Sequence, residues 1–191
     1  MALDFSRCGW LKLSDPVYVA YHDEEWGKAL HDDQALFELL CLETQSAGLS
    51  WLTVLKKRDG YRKAFVNFEL TKVALFGEKE IEQILKEGEV IKSRPKIEAI
   101  IHNAKLTQAI IQEFGSLDTY LWRYVNGKTI VNDVPNYKTA PCTSTISDAL
   151  TKDLKKRGFK FVGSTTIYAF MQACGMVNDH ENHCKCKSYD I

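Results

Sequence analysis

Glu43 lies in FELLCLETQSAGLSW, residues 37–51, where an apolar helix runs into a small-residue turn and out onto a tryptophan. Leu36, Leu40 and Glu43 are spaced by four and three, so the carboxylate projects from the stripe that faces the core. It falls in the last turn, where the helix dipole disfavours negative charge. Its neighbours three and four residues away, Leu39, Leu40, Ser46 and Ala47, offer no cation. A carboxylate with three local reasons to be absent is expected to meet a partner from outside the chain. Trp10, Tyr18, Tyr21 and Trp26 fall within seventeen residues, and Trp51 follows Glu43 by eight. Such density usually means core, and Trp26 is read that way, while Tyr18, Tyr21 and His22 share a stretch with no clean period. Aromatic faces around one buried acid are also what a flat, unstacked, cationic base requires: rings to stack on, and a negative group for its charge and its N–H donors.

Cysteine and histidine concentrate at the two ends, Cys8 and His22 at the start and His180, His183, Cys184 and Cys186 at the finish. His180 and Cys184 are four apart and point to one centre if that segment is helical. Two ligands from the amino-terminal segment would complete a tetrahedral Cys2His2 zinc site clamping the ends together. His183 and Cys186 are alternative ligands, and a tail with incidental Cys and His is the competing reading, since no CxxC pair is present. No HExxH accompanies these residues, so a metal here is structural. Cys41 and Cys174, in apolar helical stretches, are read as core thiols, and Cys142 after its proline has no evident role.

SDALTKDLKKRGFKFVGSTTIYAF, residues 147–170, places two helical stretches either side of a short turn bounded by Gly158 and Gly163. Lys152, Lys155, Lys156, Arg157 and Lys160 make it the most basic part of the chain. A glycine-bounded turn lets backbone N–H groups approach a phosphate, and the next helix adds a favourable dipole. An ordinary helix–turn–helix corner with a solvated charged face competes with that reading.

The elements that must position these groups are helical. The chain has 191 residues, 45% hydrophobic and 11% aromatic, enough for a real core. Its 25 basic and 25 acidic residues cancel, so a polyanionic partner must be held by a local patch. Asp32 or Asp33 caps a helix to about Gln45, and Ser50 caps another through WLTVLKKR. Ile81, Ile84 and Leu85 mark a third, and Ile97 to Phe114 a long one behind Pro95. A helix follows Ser116, and two more cover about 147–157 and 165–174. Residues 126–145 are polar and irregular, with TIV as a short strand. This predicts an all-α protein with two lobes around a cleft. The amino terminus lacks a charged segment followed by an apolar one, and no apolar run approaches a membrane span, so a soluble, cytoplasmic chain is expected.

RCGW, DPVYVAYHDEEWG, CLETQSAGLSWLTVLKKR, PKIEAIIHNA and SDALTKDLKKRGFKFVGSTTIYAFMQACGMVNDH together resemble the DNA-3-methyladenine glycosylase I family of the helix-hairpin-helix glycosylase superfamily, from about Arg7 to Cys184. The resemblance implies one glycosylase domain over 1–191, with terminal metal-binding segments at about 7–26 and 176–187 and the helix-hairpin-helix at about 147–174. It implies one structural zinc on Cys8, His22, His180 and Cys184, and Glu43 as the base-recognition carboxylate. Tyr21, Trp51, Trp10 and Tyr18 match the base pocket, and Gly158, Lys160 and Gly163 the DNA-backbone turn. The activity implied is hydrolysis of the N-glycosidic bond of flipped-out N3-methyladenine in alkylated double-stranded DNA, releasing the free base and leaving an abasic site. Glu43 is expected to be ionised, and with no lysine assigned to the pocket no strand nicking is expected. Asp179 is read as supporting the metal ligands or capping a helix ahead of acting in catalysis. A monomer is expected. The competing class is a non-catalytic, zinc-containing helix-hairpin-helix protein that binds alkylated DNA.

Overall fold

The computed structural model describes residues 6–187. Helices follow as α1 (Pro16–Glu24), α2 (Asp33–Gln45), α3 (Trp51–Leu55), α4 (Arg58–Ala64), α5 (Leu70–Val73), α6 (Glu78–Glu87), α7 (Arg94–Phe114), α8 (Leu117–Trp122), α9 (Thr145–Lys156) and α10 (Ser164–Ala173). Two strands of two residues each, β1 (Ile130–Val131) and β2 (Val177–Asn178), pair in parallel with Ile130 opposite Val177 and Val131 opposite Asn178. The first strand is where TIV places it. The second, and the pairing that ties the irregular segment to the carboxy-terminal one, have no signal in local periodicity.

Caps set the helix starts as the sequence predicts. The Asp32 side chain accepts from Ala35 N at 2.8 Å, Ser50 caps α3, Ser116 caps α8, and Pro95 occupies the first turn of α7. Asp33 reaches across instead and accepts from Leu117 N and Asp118 N, the open donors at the start of α8. The second predicted helix divides, α3 ending at Leu55 and α4 starting at Arg58.

α2 is the central element, with every residue from Leu36 to Gln45 buried. It packs against α10, α7 and α8, and one continuous apolar cluster runs from Leu36 through Ile100 and Leu121 to Phe170 and Val177. The two lobes expected from sequence thus share a single core. Lys96, at the start of α7, donates to the carbonyls of Gln45 at 2.8 Å and Ala47 at 2.7 Å and so caps the carboxy end of α2. No helix among the described residues is long and apolar enough to cross a membrane.

Candidate functional site

Two carboxylates on α2 are buried, and they differ in company. Glu38 is held by Arg62 through Nε and Nη2, at 2.7 to 3.0 Å. Glu43, 5% exposed, has no ion pair or side-chain hydrogen bond among the described residues. The nearby cation, Lys96, is spent on backbone carbonyls. Burial alone pushes the Glu43 carboxyl up to about 8. Burial therefore favours the neutral form of Glu43 in the free protein, and the ionised form expected from sequence requires a cation beside it. The low-polarity wall that hides the group from water also disfavours its charge until a cation arrives.

That wall is aromatic. Asp15 accepts from Tyr18 N and Pro16 opens the first turn, so the stretch without a clean period is the helix α1. It lacks one apolar stripe because its residues serve two sites, Tyr18 and Tyr21 the pocket and His22 the Cys/His cluster. Ring centroids run from Trp26 to Trp10 at 4.9 Å, Trp10 to Tyr18 at 5.2 Å, Tyr18 to Tyr21 at 6.5 Å and Tyr21 to Trp51 at 5.4 Å. With Glu43 these five rings line a cavity of about 340 Å³, closed on the other side by Gln172, Asp179 and the segment 137–142. The volume suits a single base. Trp51 Nε1 is buried there without an acceptor among the described residues. Trp26 is half-buried and belongs to the pocket, not to the core as its density suggests.

Cys8, His22, His180 and Cys184 are all buried, and their ligand atoms lie within 4.8 Å of one another. His180 and Cys184 converge through a turn in which Cys184 N donates to Glu181 O at 2.8 Å, so the helix their spacing suggests is absent. Each histidine turns Nδ1 to an oxygen, Asp23 Oδ1 at 2.8 Å for His22 and Asn178 Oδ1 at 3.0 Å for His180. His22 Nε2 lies 3.6 Å from Cys184 Sγ, and His180 Nε2 is buried with no partner among the described residues. Two rings fixed in the tautomer that offers Nε2, beside two thiols, fit a tetrahedral N2S2 metal site with its outer hydrogen bonds in place. A hydrogen bond between the two sulfurs pushes the Cys8 thiol up and pulls the Cys184 thiol down. Gly27 faces the His180 ring at φ +76°, where a Cβ would stand 2.9 Å from ring atoms. His183 turns to Arg7 O at 3.1 Å, and Cys186 lies beside His22 Nδ1 and Asp23 outside the set of four.

Among the described residues the Asp179 side chain reaches neither a helix start nor a member of the Cys/His set. Its carboxylate accepts from Asn132 Nδ2 at 2.7 Å, Tyr168 Oη at 2.6 Å and Gln172 Nε2 at 2.8 Å, and it borders the cavity. Asn178, one residue earlier, accepts from His180 Nδ1 instead. Sequence reasoning missed Asn132, Gln172 and Asn178, because each acquires its part through a contact across the chain.

The turn between α9 and α10 ends α9 in a Schellman arrangement, with Phe159 N donating to Leu154 O, Gly158 N to Lys155 O, and Gly158 at φ +95°. Asn103 of α7 clamps Lys160 through both its N–H and its C=O, and His102 bonds Gly158 O. Gly163 precedes α10 without a side-chain cap and with open space around it. Lys152, Lys155, Lys156 and Lys160 are exposed. Arg157 is not available to the patch: it pairs with Glu113 and Asp153 and stacks over Phe114 and Tyr120. Arg157→Ala is expected to lower stability by about 1–3 kcal/mol in urea unfolding.

The sequence matches the family model for methyladenine glycosylases over residues 10–188. The chain belongs to the methyladenine glycosylase family. It is 48% identical over 183 residues to a DNA-3-methyladenine glycosylase of Haemophilus influenzae, covering 96% of this chain and 98% of that one. It is also 48% identical over 180 residues to DNA-3-methyladenine glycosylase 1 of Escherichia coli, covering 94% and 96%. Among solved structures, a crystal structure of 3-methyladenine DNA glycosylase I superposes with TM-score 0.92 at 47% identity over 95% of this chain and all of that one. A Staphylococcus aureus glycosylase I, solved for its recognition of 3-methyladenine, superposes with TM-score 0.94 at 39% identity over 98% and 99%.

Proposed function

We propose that the chain is a DNA repair glycosylase that takes N3-methyladenine out of alkylated double-stranded DNA and hydrolyses its N-glycosidic bond, releasing the free base and leaving an abasic site. The observation that carries this reading is Glu43, buried, without an ion pair among the described residues, and lining the same cavity as Tyr21 and Trp51. A protein that only binds backbone gains nothing from an acid raised to about 8. N3-methylation gives adenine a formal positive charge, which makes it a good leaving group and distinguishes it from the normal base. Flipping costs about a few kcal/mol. The cation then favours the ionised form of Glu43, which accepts from the exocyclic amine, while neutral adenine offers no such compensation.

The exposed lysines of the turn, the uncapped start of α10 at Gly163 and the Schellman corner at Gly158 support a helix-hairpin-helix that holds the phosphate backbone. The Cys8, His22, His180 and Cys184 set supports one structural zinc, which when bound cross-links the two terminal segments. Among the described residues no lysine lines the cavity, and the reading is of a monofunctional enzyme. A monomer acting in the cytoplasm completes the reading.

The test is release of free 3-methyladenine from methylated duplex, followed against pH. Because the ionised Glu43 is required and the free protein holds it protonated, kcat/KM is expected to rise toward about pH 8 and then level. Binding without base release would instead establish the non-catalytic protein.

A further inference from the structure

Five of the six cysteines are placed by the core or by the Cys/His cluster. Cys8 and Cys184 belong to the set of four, Cys186 lies half-buried beside it, and Cys41 and Cys174 are core thiols, 1% and 0% exposed. Cys142 is free and exposed, on the irregular stretch between the short turn ending at Thr139 and the cap of α9 at Ser144. Exposure lets a thiol meet a reagent from solvent, and on a plain surface it would mean nothing more. This thiol also lines the base cavity.

Two buried polar groups show, independently of the cysteine, that the cavity is made for a ligand. Glu43, 5% exposed and without an ion pair among the described residues, lines it, and Trp51 Nε1 is buried there without an acceptor. The charge of the lining is one-sided. Glu43 and Asp179 contribute carboxyl groups, the latter bonded only to the uncharged donors of Asn132, Tyr168 and Gln172, and no lysine or arginine is among the lining residues described. Ring faces and carboxylates together favour a cation. A group tethered to Cys142 shares this space with a base, and an ammonium is the group that the lining suits.

We propose that Cys142 is a thiolation site of the base cavity, which forms a mixed disulfide with a small thiol carrying an ammonium group, and that the adduct excludes the base. The Cys142 thiol gives its proton to solvent, and the thiolate attacks one sulfur of a small disulfide. A new S–S bond forms, the old one breaks, and the departing thiolate takes up a proton. The disulfide is the oxidant, and a thiol reductant reverses the step. Exclusion of 3-methyladenine rests on the glycosylase reading, whereas the thiolation itself rests on the cavity alone. Linkage makes the exclusion mutual: if the adduct weakens binding of the base, bound base lowers the yield of adduct by the same factor.

The probe is cystamine in a cystamine–cysteamine buffer, compared with the neutral bis(2-hydroxyethyl) disulfide and its thiol. Peptide mass mapping is expected to place a single adduct on Cys142, reversed by dithiothreitol, with metal content unchanged and no adduct on Cys142→Ser. At equal thiol–disulfide ratio the cationic adduct is expected to be favoured by about threefold or more, the worth of a cation over an aromatic face. The thiolated protein is expected to lose binding of free 3-methyladenine, Cys142→Ser to bind it equally before and after treatment, and saturating 3-methyladenine to lower the adduct yield of the parent. Cys142→Lys carries an ammonium on a chain of similar length and is expected to bind 3-methyladenine weakly without any treatment. An adduct on Cys186 or on a cluster cysteine in place of Cys142, equal yields from the two disulfides, or 3-methyladenine binding retained by the thiolated parent overturns the proposal. Absence of base release from methylated duplex by the untreated parent refutes the glycosylase reading instead, and the adduct's position and charge preference still decide the thiolation.

Discussion

Glu43→Gln is expected to make the protein more stable at alkaline pH and nearly inactive. Burial raises the carboxyl from 4.5 to about 8, so between those values the folded state holds a proton that the unfolded chain has released. Stability therefore falls as pH rises through this window: the contribution is intact below about 4.5 and gone above about 8. Each unit of displacement is worth about 1.4 kcal/mol, which puts the full effect at a few kcal/mol in order of magnitude. Glutamine has the same shape and never ionises, so the variant escapes the decline. Urea unfolding at pH 5 and pH 9 is expected to show the two proteins alike at the lower pH and the variant ahead at the higher. Excision of 3-methyladenine is expected to fall by about 10²–10³-fold, since no negative charge is left to answer the cation. Retained activity, or equal stability at pH 9, would refute the role of Glu43 as a carboxylate held ready for ionisation.

Cys184→Ser tests the other end of the molecule. The four side chains converge from segments separated by most of the chain, and only Cys184, buried, brings a thiol from the carboxy-terminal side to Cys8 and the two imidazoles. Elemental analysis is expected to find the metal lost. The melting temperature is expected to fall by about 10 °C or more, a structural metal contributing several kcal/mol and each kcal/mol being worth about 2–4 °C in a chain of this size. Cys186→Ser and His183→Ala are expected to keep the metal, since neither belongs to the set of four. Trp10 and Trp26 pack on His22, and Trp26 on His180, while both tryptophans line the cavity. The Cys184 variant is therefore expected to bind 3-methyladenine more weakly as well. Unchanged metal content in this variant would exclude Cys184 as a ligand.

What could be read in the sequence was what local physics writes there. Asp32, Ser50, Ser116 and Pro95 mark helix starts through groups within a few residues, and α2 and α7 fall where these caps and their apolar periods place them. Glu43 could be recognised because it violates the same rules. Roles assigned by distant partners could not be read. Arg157 belongs to a basic run in sequence but is neutralised by Glu113 on α7 and Asp153 on its own helix. Asp179 adjoins a cluster residue, which suggests a part in the cluster, yet its side chain turns to α10 and Asn132. His180 and Cys184 share helical spacing without a helix, because a turn achieves the same convergence. Trp26 shows that aromatic density alone does not separate a core from a pocket.

The joining of the two terminal segments has a consequence for synthesis of the chain. Lys185 N bonds Ser6 O at 2.7 Å and Gly9 N bonds the Glu181 carboxylate, so the amino-terminal segment of the pocket wall is seated on residues translated long after it. Contacts of such sequence separation form late. On the ribosome, the five rings and Glu43 all precede α4 and emerge early, whereas Gln172 and Asp179, which complete the lining of the cavity, emerge long after them. A chain that lacks these residues lacks part of the base pocket, and its α2 lacks the packing that α10 supplies.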